Sequence, residues 1–341
     1  MTATMNAVAY TRSLPITDPA SLEDVALPVP EVGPRDLLVE VRAVSVNPVD
    51  VKVRANNDPD GKPKVLGFDA AGTVRAVGDA AALFDEGDDV YYAGAINRPG
   101  TNSQFHVVDE RLVGTKPSSL DFAQAAALPL TSITAWEGLF DRLGLTPTST
   151  GTLLVVGGAG GVGPIVIQLA KALVPGLAVI ASASRPESRQ WVLALGADDT
   201  VNHGDALAAD VRRVAPDGVD HIFSTNSTGQ LAAFAEVLTP FGQIVAIDDP
   251  GPVDLSALKS KSLTWHWELM FTRSLFQTAD MVEQHVLLDR VASMVDAGTI
   301  RSPLTRTLSP LNAESLRAAH AQVESGRTVG KVVVAEASPA G

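Results

Sequence analysis

The stretch TLLVVGGAGGVGPIVIQLAKAL, residues 152–173, decides how this chain is read. TLLVVGG (152–158) is a short apolar strand. GVGPIVIQLAKAL (161–173) reads as a helix, with Pro164 near its first turn, where a missing N–H costs little. Between them Gly158, Gly160 and Gly163 fit the pattern G-x-G-x-x-G. A lone match is weak, but this one follows a strand, opens a helix and begins a run of βα units. Gly158 is expected to make the tight turn, Gly160 to admit a pyrophosphate, and Gly163 to bring helix against strand. Gly161 and Val162 complete the loop, and the helix N-terminus presents unpaired N–H groups to an anion. The competing reading is a glycine-rich turn with no ligand.

Outward from this stretch the chain alternates. LAVIASAS (177–184) is a strand, and PESRQWVLALGA (186–197) is a helix closed by Gly196. HIFSTN (221–226) and GQIVAID (242–248) are strands separated by the helical TGQLAAFAEVLTPF (228–241). Such alternation predicts a doubly wound parallel sheet with helices on both faces. The first third is β-rich instead, at 36–47, 71–78 and 88–94. The segment 123–145 is helical in pattern, with Pro129 breaking it. Helices at 279–297 and 312–325 precede a strand at 330–337, and the ASPAG end (337–341) is expected to fray. Both ends share a β-rich character, so in this α/β chain they are read as one domain interrupted by the middle sheet.

The totals narrow the function classes. With 26 Lys and Arg against 39 Asp and Glu, the formal charge is −13, which opposes nucleic acid and anionic membrane surfaces. No apolar run approaches the roughly 20 residues of a spanning helix. The start MTATMNAVAY has no basic segment followed by an apolar one, so a cytoplasmic protein without a secretory signal is expected. Cysteine is absent, which removes every thiolate ligand and nucleophile. The six histidines (106, 203, 221, 266, 285, 320) form no HxH or HxxxH pair.

The nucleotide is chosen at the end of the second strand, where NAD-binding folds place an acid on the ribose 2′-hydroxyl. This chain reads ASASRPES (181–188), with no acid before Glu187. Ser182, Ser184 and Arg185 suit a 2′-phosphate, so NADPH is expected. Arg185 has a second reading as a solvated residue at a helix start. KVLGFDAAG (64–72) raises a different question, because Asp69 there suits a metal, acid–base chemistry or a plain turn.

SVNPVDVKVR (45–54), VLGFDAAGTV (65–74), ALPLTSITAWEGL (127–139), GGAGGVG (157–163) and GRTVGKVVV (326–334) together resemble the medium-chain dehydrogenase/reductase superfamily, in its quinone oxidoreductase branch. SRPESR (184–189), HWELMFTRS (266–274) and VESGRT (323–328) resemble its zinc-type alcohol dehydrogenase-like group. The resemblance starts at Met5, with residues 1–4 read as an extension. It implies a GroES-like β-rich catalytic domain from 1–127 and 275–341, and a Rossmann domain over 128–274. It also implies a homodimer built through the Rossmann domains.

The departures from the family pattern are informative. Zinc-dependent members hold the metal with a Cys near the position of Asn47, a His in a G-H-E motif and a later Cys or acid. Phe68 stands where that His would be, and no Cys exists. No catalytic zinc is therefore expected, and a simple alcohol is a poor substrate because nothing would stabilise its alkoxide. A quinone or α,β-unsaturated carbonyl accepts hydride directly and delocalises the charge. The resemblance makes Asn47, Asp50, Phe68, Asp69 and Thr134 the candidates for this cleft. Asn47 is read as a donor to a carbonyl, a ribose contact or a turn residue, and Asp50 as a loop anchor or catalytic part. Phe68 and Thr134 are read as pocket wall and cofactor contact, or as packing residues. Asp69 is expected to fix its loop between glycine-permitted turns. Lys52 and Tyr92 are weaker proton-donor candidates, beside solvent. Thr225, Asn226, Ile247, Gly330 and Lys331 are expected cofactor contacts, Lys331 alternatively an exposed strand residue. Rival functions are an enoyl thioester reductase, an alcohol dehydrogenase with a rearranged zinc site, and a low-turnover NADP(H) sensor.

Overall fold

A computed structural model describes residues 3–203 and 206–337. The expected fraying at 338–341 and the first two residues of the expected extension lie outside these; the first strand opens at Thr4. The chain divides into two compact units: residues up to Leu130 with those from Phe271 onward, and Thr131–Met270. The sequence reading put these divisions after 127 and 274.

In the middle unit, Leu153, Leu154 and Val155 are fully buried, because helices cover both faces of their sheet. Six parallel strands run in the spatial order Asp199–Val201, Leu177–Ser182, Gly151–Val156, Val219–Ser224, Leu238–Ala246 and Thr264–Trp267. Numbered along the unit this is 3-2-1-4-5-6, the doubly wound dinucleotide-binding order, with its switch point between Gly151–Val156 and Val219–Ser224. The helix after the glycine stretch spans Gly163–Leu173. The helix expected over 228–241 is only Leu231–Val237, because Pro240 lies in the strand that follows. Asp199–Val201, Leu207–Val214 and Thr264–Trp267 were not anticipated.

The segment 123–145 is three pieces. Phe122–Ala126 is capped by Asp121, whose Oδ1 accepts from Gln124 N at 2.7 Å. Pro129 opens the helix Pro129–Trp136 rather than merely ending its predecessor. The same rod then widens to a π-helix over Glu137–Arg142.

The other unit is organised by the eleven-residue strand Asp36–Val46. It pairs antiparallel with Ala70–Val77 and with Phe105–Asp109, and on its later half with Lys331–Ala335. Leu304–Leu308, Asp89–Tyr92 and Val113–Thr115 complete this seven-stranded sheet. A smaller sheet holds Glu23–Pro28, Thr4–Tyr10 and Lys64–Val65. Along Asp36–Val46 burial alternates to Arg42, then every residue from Ala43 is buried. The strand thus passes from a half-solvated sheet face into the interior, and the next residue is Asn47.

Candidate active site

The glycine turn is built from the strands on either side of Gly151–Val156. Gly157 has φ +79°, and a Cβ there would stand 2.0 Å from Thr225 Oγ1. The left-handed turn therefore falls on Gly157, not on Gly158 as the motif suggested. Ser182 Oγ accepts from Gly157 N at 2.8 Å, and Thr225 Oγ1 donates to Val156 O at 3.0 Å. A Cβ on Gly158 would meet Ala181 Cβ at 2.8 Å, and one on Gly163 would meet Gly158 O at 2.4 Å. Gly160 differs: a Cβ there would meet nothing nearer than 3.5 Å. The fold itself requires the other three glycines, whereas the open space over Gly160 fits a ligand's pyrophosphate. Gly161 and Val162 are half-buried, and the Val162 carbonyl accepts from Ile165 and Val166 at the helix start.

Ser182 is buried, so it braces the turn instead of meeting solvent. Ser184 is exposed and Arg185 is half-buried beside Glu187 at 3.2 Å. Arg189, which the sequence reading passed over, joins them by donating to Ala183 O and to Asn202 Oδ1. Asn226 is exposed, and Ile247 is half-buried with its N–H on Ser224 O at 3.1 Å. Thr134 is buried within its helix.

In the other unit Asn47, Asp50, Asp69 and Lys331 form one buried cluster. Asn47 caps the helix Pro48–Asn56 with Pro48 in its first turn, so VNPVD is a helix start. Asp50 Oδ2 accepts from Asn47 N at 2.8 Å, and its Oδ1 accepts from Gly67 N at 2.9 Å. Gly67 has φ +109°, and its missing Cβ leaves room for Thr101 and Asn102. The loop has this one glycine turn, since Gly72 lies within the strand Ala70–Val77. Asp69 Oδ1 accepts from Leu130 N at 2.8 Å, and its Oδ2 from Asn47 Nδ2 at 2.8 Å and Lys331 Nζ at 3.0 Å. Lys331 Nζ also donates to Asn47 Oδ1. Burial pushes the Asp50 carboxyl up to about 7, against its two amide donors and Lys331. Burial also raises Asp69, with the Lys331 ammonium the largest opposing influence.

Several expectations change here. Lys331 is not an exposed strand residue: its side chain is 3% exposed and its ammonium lies against Asp69. A Cβ on Gly330 would stand 2.3 Å from Pro303 O, so packing alone requires that glycine. Phe68 is buried edge-on against Phe271, with ring centroids 5.3 Å apart. Tyr92 lies buried with its hydroxyl on His106 Nδ1 at 3.1 Å, and burial drives its phenol far upward, so it is no ready proton donor. Lys52 is on an exposed face of its helix.

The cluster does not suit zinc. The Asn47 oxygen faces an ammonium, Phe68 has no lone pair, Asp69 is engaged at both oxygens, and the chain lacks cysteine. Among the described residues no three His, Asp or Glu side chains gather as a metal-holding group.

A 3-2-1-4-5-6 parallel sheet with a glycine turn at its switch point defines a dinucleotide-binding dehydrogenase fold. The sequence patterns of the alcohol dehydrogenase GroES-like domain and of zinc-binding dehydrogenases match residues 33–129 and 195–334. The zinc-type alcohol dehydrogenase-like protein of Staphylococcus epidermidis is 37% identical over 336 residues, covering 97% of this chain and 99% of that one. The chain therefore belongs to the medium-chain dehydrogenase/reductase superfamily of nicotinamide-dinucleotide-dependent oxidoreductases. A crystal structure from Rhizobium etli CFN 42, of a protein named as a zinc-dependent alcohol dehydrogenase, is 50% identical with TM-score 0.95, covering 99% of this chain and all of that one. The 2-methylene-furan-3-one reductase of Solanum lycopersicum is 31% identical, covering 90% of this chain and 73% of its own length. The chloroplastic NADPH-dependent alkenal/one oxidoreductase of Arabidopsis thaliana is 38% identical over 231 residues, which cover 64% of this chain and 56% of that one. Among the described residues no helix is long and apolar enough to cross a membrane.

Proposed function

We propose that this protein is an NADPH-dependent reductase that transfers hydride to a quinone or an α,β-unsaturated carbonyl without a catalytic metal. The observation that carries this reading is the buried cluster Asn47–Asp69–Lys331 beside Phe68, with Asn47 and Phe68 at the positions that the family resemblance gives to zinc ligands. Without a Lewis acid an alkoxide has no strong partner, whereas a conjugated acceptor spreads its own charge.

When bound, the nicotinamide supplies the hydride. Gly160 leaves room for the pyrophosphate, and Gly161, Val162 and Gly163 present the helix N-terminus to it. Ser184 and Arg185 hold the 2′-phosphate, with Arg189 adding charge beside them and Ser182 steadying the turn. Thr134, Thr225, Asn226 and Ile247 line the nicotinamide and ribose, and Phe68 excludes water from the acceptor. Asp50 and Asp69 hold the two backbone segments that carry Asn47 and Phe68. A homodimer belongs to the same proposal: Thr264–Trp267 ends its sheet, and Trp267 is about half exposed. The names of the tomato and Arabidopsis relatives support an activated alkene as acceptor. The chain's charge of −13 disfavours a thioester carried on a phosphorylated arm.

The test is an acceptor screen with quinones and enones, run with both NADPH and NADH. Turnover with NADPH preferred over NADH, and equally by metal-stripped protein, is expected. Stoichiometric zinc needed for turnover overturns the metal-free part, and cofactor binding without turnover on any acceptor favours a sensor.

A further inference from the structure

Hydrogen bonds in the buried cluster can be followed one hydrogen at a time. Asn47 Nδ2 has two, directed to Asp69 Oδ2 at 2.8 Å and Ser45 O at 3.3 Å. The Lys331 ammonium fixes this orientation, because an amide nitrogen facing a cation would be repelled while the oxygen is attracted. Asn47 is therefore an acceptor toward anything further, not the carbonyl donor its sequence position suggested. Asp50 and Asp69 accept at both oxygens. Phe68 has nothing to donate. Lys331 has three N–H groups and two partners, Asn47 Oδ1 and Asp69 Oδ2. Its third N–H has no partner among the described residues, and it belongs to a side chain 3% exposed.

We propose that Lys331 is the fixed cation of the acceptor site, offering its third N–H to the acceptor's carbonyl oxygen in the role that zinc has in metal-dependent relatives. The inference rests on the reductase reading above. As hydride adds at the β-carbon, a C–H bond forms and the C=C pair shifts toward oxygen, which becomes an enolate oxyanion. The acceptor gains two electrons and the nicotinamide is oxidised. Lys331 keeps its proton and hydrogen-bonds the oxyanion, and water protonates the α-carbon. Asn47 and Asp69 act as positioning residues, because a tethered ammonium stabilises developing charge without reorganising. A buried ammonium needs such a partner, and Asp69 is that partner.

The experiment compares wild type, Lys331→Arg, Lys331→Met and the double variant Lys331→Met with Asp69→Asn, which removes both members of the buried ion pair. Steady-state kcat and KM are measured over enones of graded electron deficiency, with NADPH affinity by fluorescence titration and folding by thermal melting. The expected result for the folded neutral variants is kcat lowered about a hundredfold, the usual loss of one oxyanion donor. NADPH affinity stays within about threefold. The loss is steepest for the least electron-poor acceptors, and Lys331→Arg recovers part of kcat. A purely structural lysine would not produce that dependence on the acceptor. Unchanged kcat in a folded variant, or a loss confined to NADPH affinity, overturns the inference while wild-type turnover upholds the reductase reading. A wild type that turns over no acceptor overturns both.

Discussion

Gly157, just before the motif, and Gly160 within it have different physical reasons for lacking a side chain. Gly157 sits at φ +79° with Thr225 Oγ1 where a Cβ would go. Gly157→Ala is expected to destabilise the protein by about 2 kcal/mol or more, from the left-handed backbone and the clash together. Gly160→Ala should leave the melting temperature nearly unchanged, because its Cβ would find space. It should weaken NADPH binding about tenfold, or ~1.4 kcal/mol. Melting and fluorescence titration of the two variants check the contrast; equal stability losses would mean that Gly160 too serves the fold alone. The motif was legible because strand, glycines and helix follow one another locally. Which glycine carries the turn was not, since that depends on where the strand ends, at Val156, and on Thr225 from another strand. The partnership of Lys331 with Asn47 and Asp69 was likewise out of reach, because no local pattern links residues so far apart in the chain.

Among the elements, the π-helix Glu137–Arg142 has the most unusual surroundings. Gly138 presses on Phe223, whose ring would be 2.4 Å from an added Cβ. Glu137 and Glu268 are both buried, and Arg142 Nε donates to Glu268 Oε2 at 3.0 Å. Burial pushes the Glu268 carboxyl up to about 9, Glu137 adds to the rise, and Arg142 opposes it. A carboxyl raised in the folded state contributes stability that is complete below its ordinary value near 4.5 and is lost as pH climbs toward about 9. Glu268→Gln, a mimic of the protonated form, should therefore flatten the fall in melting temperature between about pH 5 and pH 9. A variant that falls as steeply as wild type would locate the proton elsewhere. The long helical pattern of 123–145 was readable from its alanines and leucines, but a change of hydrogen-bond register has no compositional mark. Asp199–Val201 and Thr264–Trp267 escaped for a related reason: each is short and is held by a neighbouring strand rather than by its own pattern.

At the scale of the molecule, the chain's two ends were legible as one β-rich body because both carry strand patterns without the middle's regular alternation. His320 shows what such a body tolerates inside. It is fully buried on the helix Ala313–Glu324, and neither ring nitrogen has a hydrogen-bond partner among the described residues. Burial, helped by the Arg54 guanidinium, pushes its imidazole down to about 3. A depressed value means stability that is present above the ordinary 6.5 and is lost as pH falls toward 3. His320→Leu should raise stability at about pH 5 more than at pH 8, measured by denaturant titration; an equal effect at both would exclude the imidazole as the source of acid sensitivity. The strand order has a further consequence in time. Residues 131–270 form a continuous unit that can pack as soon as it leaves the ribosome. Asp36–Val46 waits, one flank open, until Lys331–Ala335 is translated. Asn47, Asp50 and Asp69 are therefore born without their counter-ion, and every nascent chain remains unfinished at this centre until Lys331 has been made.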